Sequence, residues 1–308
     1  MCNVMNSFGL NRFWQTLRWV LRTNRIVLLG LLVGSAAGAF LLEMVHFYIN
    51  ADGNPSSAVR NVAQMMSFCV ILFTAISVSS VFSSFTQLGN KVQRTSWLML
   101  PATHLEKFLA LMVHVTLICP VVAFVGFVLG DSLRMAVEYL GASIIEHPVE
   151  SMVVHWPSGD HTYYWCSSTL PDIVANYAPH FMDDETYHYT TDYCIMSVLF
   201  PLSFTMWAHS LFTLGGTLFR KYSFVISGLL LIGWSALLAW IIMSNEISMF
   251  NSVWEENRYV SQEVGTGAYV FTILGVVVAC LNYWLSFRMF KGFQLMTNKW
   301  INYDILKR

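Results

Sequence analysis

Few residues of this chain are of a type that does chemistry, and most of those stand inside apolar sequence. Glu43 is the one carboxylate within the apolar run from Ile26 to Ile49. With His46 and Asn50 it makes an i, i+3, i+7 face of a helix. A carboxylate at membrane depth is a candidate proton relay or substrate contact. The plainer reading is that Glu43 sits near the end of its run, where it reaches water or pairs locally. His114 and His209 also stand in apolar runs. Their depths suit bis-histidine haem ligation, but lone membrane histidines more often hydrogen-bond a neighbouring helix. His147, His155, His161, His180 and His188 fall in a polar stretch, where His180-x-x-Asp183-Asp184-x-x-x-His188 offers nitrogen and oxygen donors to zinc. No two of these histidines are spaced i, i+4, so a solvated acidic loop is preferred and no metal is assigned. Whether Cys166 and Cys194 pair is left open. There is no Gly-x-Ser-x-Gly, His-Glu-x-x-His or kinase signature, so no catalysis is assigned to the chain itself.

The elements that must position these residues are membrane helices. Of 308 residues, 56% are hydrophobic and 11% charged, against roughly 25% charged in a soluble domain. This excludes a soluble enzyme, a disordered chain and a nucleic-acid-binding domain. A spanning helix needs about 20 mostly apolar residues. Six stretches qualify: Ile26–Ile49, Val62–Phe85, Phe108–Gly130, Ile195–Phe219, Tyr222–Ser244 and Ala268–Phe290. The expected fold is therefore an all-α integral membrane protein with six transmembrane helices. The charges divide by side. With both termini on one side, 14 Lys and Arg and 2 acidic residues stand there, against 3 and 15 opposite. The positive-inside rule places both termini in the cytoplasm and the protein in the cell (inner) membrane.

The expected organisation follows. Residues 1–25 hold a cytoplasmic interfacial helix, since Leu10, Phe13, Trp14, Leu17 and Leu21 share a face while Arg12, Arg18 and Arg22 line others. Residues 26–130 carry spans one to three with an inner loop at 86–107. Residues 131–193 form an aromatic-rich extracytoplasmic segment, 194–290 spans four to six, and 291–308 a cytoplasmic tail. Gly30, Gly34 and Gly38 make one stripe on the first span, predicting a close helix-packing face in the same chain or another.

The inner loop carries the most specific signal. Pro101 disfavours helix at Leu100. Thr103 with Glu106 three residues later predicts a capping box, so the third helix starts at about Thr103. Before it lies a short basic piece with Trp97, Leu98 and Leu100 available to dock. The run Arg94…Leu98-Met99-Leu100-Pro101-Ala102-Thr103-His104-Leu105-Glu106-Lys107-Phe108 resembles the inner loop of ABC-2-type transporter permease subunits, especially short forms from Bacteroidetes. There the pattern reads approximately Leu-Pro-Ala-Ser-x-x-Glu-Lys-Phe. The resemblance extends to the N-terminal helix and the six-span plan. Thr103 replaces the usual Ser, and the large outer segment lies between spans three and four rather than near the last two. The resemblance implies a permease-like subunit that works by alternating access, as a homodimer or beside a second permease. It implies a separate cytoplasmic ATPase subunit docked on Arg94, Trp97, Leu100, Pro101, Thr103, Glu106 and Lys107. The chain has no P-loop signature, so ATP is expected on that partner and no cofactor on this chain. Two other classes remain: a membrane sensory or binding protein using its aromatic outer segment, and a haem- or metal-containing membrane enzyme component.

Overall fold

The computed structural model describes residues 8–49, 81, 91–145, 151–156, 159–164, 168, 187–219, 222–254 and 260–292. Most of these are helical. Helix α1 is Leu10–Thr23, followed by α2 (Arg25–Ile49), α3 (Lys91–Met99), α4 (His104–Val113), a π-helical turn (His114–Ile118) and α5 (Cys119–Ile145). Then come α6 (Thr191–Leu218), α7 (Ser223–Ser244) and α8 (Thr266–Lys291). Five described segments are long and apolar enough to cross a membrane: Arg25–Val45, His104–Val137, Thr191–Leu218, Ser223–Ser244 and Thr266–Lys291. The expected second span, Val62–Phe85, lies outside the described residues except for Val81, which is helical and buried in the core.

Local chemistry sets the breaks. Asn24 ends α1: its backbone N–H and its side-chain Nδ2 both donate to the Val20 carbonyl, each at 2.9 Å. Pro101 separates α3 from α4, and the Ala102 N–H donates to the Leu100 carbonyl at 2.8 Å. Thr103 then starts α4. Tyr222, in the left-handed region at φ 58°, turns the chain from α6 into α7.

Two helix pairs organise the bundle. Helices α2 and α5 run parallel in matched register. A Cβ on Gly126 would fall on Ser35 and the Leu32 carbonyl, and one on Gly130 would fall on Ala39 and the Ala36 carbonyl. One turn further on each helix, Glu43 meets Arg134. The small residues on both faces let the backbones touch. Helices α6 and α8 also run parallel, with Gly275 against Ser203 and Asn282 bonded to Ser210. Around Phe108, Leu111 and Val115 of α4 and its π turn, a core closes with Leu17 and Val20 of α1, Trp97 of α3, Phe212 of α6 and Phe290 of α8.

At the other end lie the strands. β1 (Ser151–Trp156) and β2 (Gly159–Tyr164) form an antiparallel hairpin. β3 (Tyr187–Tyr189) pairs parallel with β5 (Val260–Val264), which pairs antiparallel with β4 (Phe250–Trp254). The second sheet thus ties the two loop segments before α6 and before α8 into one structure.

Candidate functional site

The predicted capping box forms. Thr103 Oγ1 accepts from the Glu106 N–H at 3.2 Å, and Glu106 Oε2 accepts from the Thr103 N–H at 2.7 Å. The other carboxylate oxygen does something the sequence did not announce. Glu106 Oε1 accepts from the Gly9 N–H at 2.6 Å and from Arg12 Nη2 at 3.1 Å. Gly9 is the N-cap of α1. One fully buried carboxylate therefore caps α4 and also holds the start of α1. Arg12 Nε adds a fourth donor at 3.3 Å, and a buried carboxylate needs such partners.

The rest of the loop is held as firmly. Lys107 Nζ donates to the Leu98 carbonyl at 3.2 Å, linking α4 back to α3 across Pro101. Trp97 stacks on Trp19 of α1, with ring centroids 5.3 Å apart, and meets Phe290 of α8 at 6.5 Å. Of the residues assigned to partner docking, Arg94, Trp97, Glu106 and Lys107 are buried, Leu100 and Thr103 are half-buried, and Pro101 is exposed. Among the described side chains, the outward surface of the loop is instead made by Val92, Ser96, Met99, Pro101, His104 and Leu105. Met99 is 80% exposed. The buried set shapes and anchors the loop, and the exposed set is what a partner can touch. The signal for this division was helical periodicity within Lys91–Met99: Arg94 and Trp97 are three apart on one face, while Val92 and Met99 lie on others.

Glu43 has its partner far along the sequence. Glu43 Oε2 accepts from Arg134 Nε at 2.8 Å, and Arg134 Nη2 donates to Asp131 Oδ1 at 2.9 Å. Ser168, in the segment beyond α5, donates to Asp131 Oδ2 at 2.5 Å. Glu43, Asp131 and Arg134 are all buried. The face expected with His46 is not testable, since the His46 side chain lies outside the described residues. Arg134 and Asp131 were the residues missed, although the rule that a membrane carboxylate seeks a partner pointed to an i, i+3 pair on the continuing helix.

The two membrane histidines are engaged within the helix bundle. His209 Nδ1 and the Tyr283 hydroxyl are 2.7 Å apart, joining α6 to α8. His114 Nε2 is 3.7 Å from Cys119 Sγ. For His209, Tyr283 was the unrecognised partner.

Gly30 and Gly34 are exposed, and a Cβ at either meets nothing within 4 Å among the described residues. Gly38 is half-buried. Between α2 and α5, the described glycines in tight contact are Gly126 and Gly130. Cys194 is buried. Cys166 and the run from His180 to Asp184 lie outside the described residues. No family model, curated protein or solved structure matches the chain.

Proposed function

We propose that the chain is the membrane-spanning, permease-like subunit of an ABC transporter, moving its substrate by alternating access under the drive of a separate ATPase subunit. The observation that carries this reading is the double role of Glu106. A partner pressing on the loop at Val92, Met99 and Pro101 displaces α3; the Trp97–Trp19 and Lys107–Leu98 contacts pass that displacement to α1 and α4, which Glu106 ties together. The loop–helix resemblance supplies the identity of the partner. The protein is not itself the ATPase.

The six-span count belongs to the same proposal. Helices α6 and α8 run parallel because α7 returns between them. Helices α2 and α5 run parallel too, and α4 begins beside Gly9 at the start of α1. These directions support a sixth span, for which the sequence offers Val62–Phe85, apolar and long enough. With six spans, the charge partition sets both termini in the cytoplasm.

The test is to purify the full chain from its native membrane and identify what accompanies it. An ATP-binding subunit is expected, and it is expected to be lost when Met99→Asp places a charge on the exposed loop surface. Met99→Asp touches no buried contact, so expression and melting should stay at the wild-type level. A stable, correctly inserted protein that never brings an ATPase with it contradicts the proposal.

A further inference from the structure

Helix α1 has three sides with different fates. Thr16, Leu17 and Val20 are buried against the bundle. Arg12 is taken by Glu106. The remaining stripe, Leu10, Trp14, Arg18 and Arg22 at four-residue spacing, is exposed along its whole length. Arg25, at the first position of α2, is exposed beside its end. Among the described residues, Arg18, Arg22 and Arg25 form no ion pair. Two other cations at this end are occupied differently: Arg288 lies over the Trp284 ring at 5.4 Å and Lys291 over Phe287 at 4.6 Å.

The place of this stripe is set by its neighbours. Only Asn24 separates α1 from α2, whose Arg25–Val45 is long and apolar enough to enter the membrane. The helix therefore lies at the boundary between membrane and water, fixed in rotation by the Glu106 contacts and by Trp19 on Trp97. A free amphipathic helix rolls to suit its surroundings. This one cannot, so its outward stripe is a built surface: a Leu and a Trp, followed by three cations spaced about one turn apart.

We infer that this stripe is a binding surface for anionic phospholipid headgroups, with Arg18, Arg22 and Arg25 on the phosphates and Trp14 seated at the headgroup level. Charge complementarity favours this occupant. Clustered Lys and Arg beside a spanning helix attract anionic lipid, each adding about fivefold to association, and Trp is favoured at that depth. Glu106 is the one acidic side chain described at this end, and it is consumed by Gly9, Thr103 and Arg12. The inference stands independently of the transporter reading, because it uses no partner protein.

The experiment equilibrates the full-length purified protein with mixed micelles of phosphatidylcholine and phosphatidylglycerol, then measures retained lipid by mass spectrometry. Wild-type protein is expected to retain phosphatidylglycerol at least tenfold over its share, and to lose that preference as salt rises. Arg18→Gln/Arg22→Gln/Arg25→Gln is expected to lose most of the preference, while the triple Lys variant keeps it. A preference unchanged in the triple Gln variant, or insensitive to salt in the wild type, overturns the inference. The salt series decides the matter if the Gln variant fails to fold. A triple Gln variant with normal lipid retention but lost binding of a co-purifying protein would assign the stripe to that protein and also overturn it.

Discussion

Arg12 and Glu106 stand 94 positions apart in sequence and meet at 3.1 Å. Their contact makes the N-terminal helix and the inner loop one mechanical unit. Glu106→Ala removes the acceptor for Gly9, Thr103 and Arg12 at once. Leaving buried donors unsatisfied costs about 1–3 kcal/mol, more than the ~1 kcal/mol of a lost cap alone. Arg12→Ala should cost less, because Arg12 is 28% exposed and water replaces its partner. Thermal melting in detergent is expected to rank wild type above Arg12→Ala above Glu106→Ala. Equal melting of the two variants would mean that the Arg12 contact alone matters and that the caps add nothing.

The glycines divide into those in contact and those in the open. Gly130→Ala places a methyl group on the Ala36 carbonyl and should destabilise by about 1–3 kcal/mol, the usual cost of overpacking. Gly34→Ala meets nothing described and should be silent. If Gly34→Leu lowers melting while Gly34→Ala does not, another segment or a second copy covers that face, and cross-linking at several protein concentrations distinguishes the two.

At the opposite end, Arg134 holds Glu43 and Asp131 together. Arg134→Met leaves two buried carboxylates facing each other and should cost about 3–5 kcal/mol. Adding Glu43→Met and Asp131→Asn removes the stranded charges and should recover most of the loss. Unfolding titrations of the single and triple variants check this. A triple variant as unstable as the single one would mean that shape, not charge, holds α2 to α5.

His209 and Tyr283 give the measure of polar bonding inside the bundle. A double-mutant cycle of His209→Phe and Tyr283→Phe should return a coupling near 0.6 kcal/mol, the average for contacts between membrane helices. Zero coupling would mean that the 2.7 Å approach contributes nothing beyond packing.

Much of this architecture was legible from sequence because membrane helices announce themselves by length. The capping box was legible too, since Thr103 and Glu106 are neighbours. The second half of Glu106's role was not, because Gly9 and Arg12 carry no mark of their partner. The pairing of Glu43 with Arg134 was hidden for the same reason, although a lone carboxylate in apolar sequence already demanded a cation. For the stripe of Gly30, Gly34 and Gly38, spacing identifies a smooth face but not what covers it; between the described faces of α2 and α5 the close contacts fall to Gly126 and Gly130. The buried side of α3 was readable from Arg94 and Trp97 standing three apart.

The central claim is that an ATPase subunit presses on the exposed face of the inner loop. The most direct measurement places a photo-crosslinking amino acid at Met99 in native membranes and identifies the adduct. The account predicts an adduct with a chain bearing a nucleotide-binding P-loop, and none from the same group at Tyr269, which lies near the opposite end of the bundle. Adducts at Met99 with lipid alone, or none at all, would contradict it.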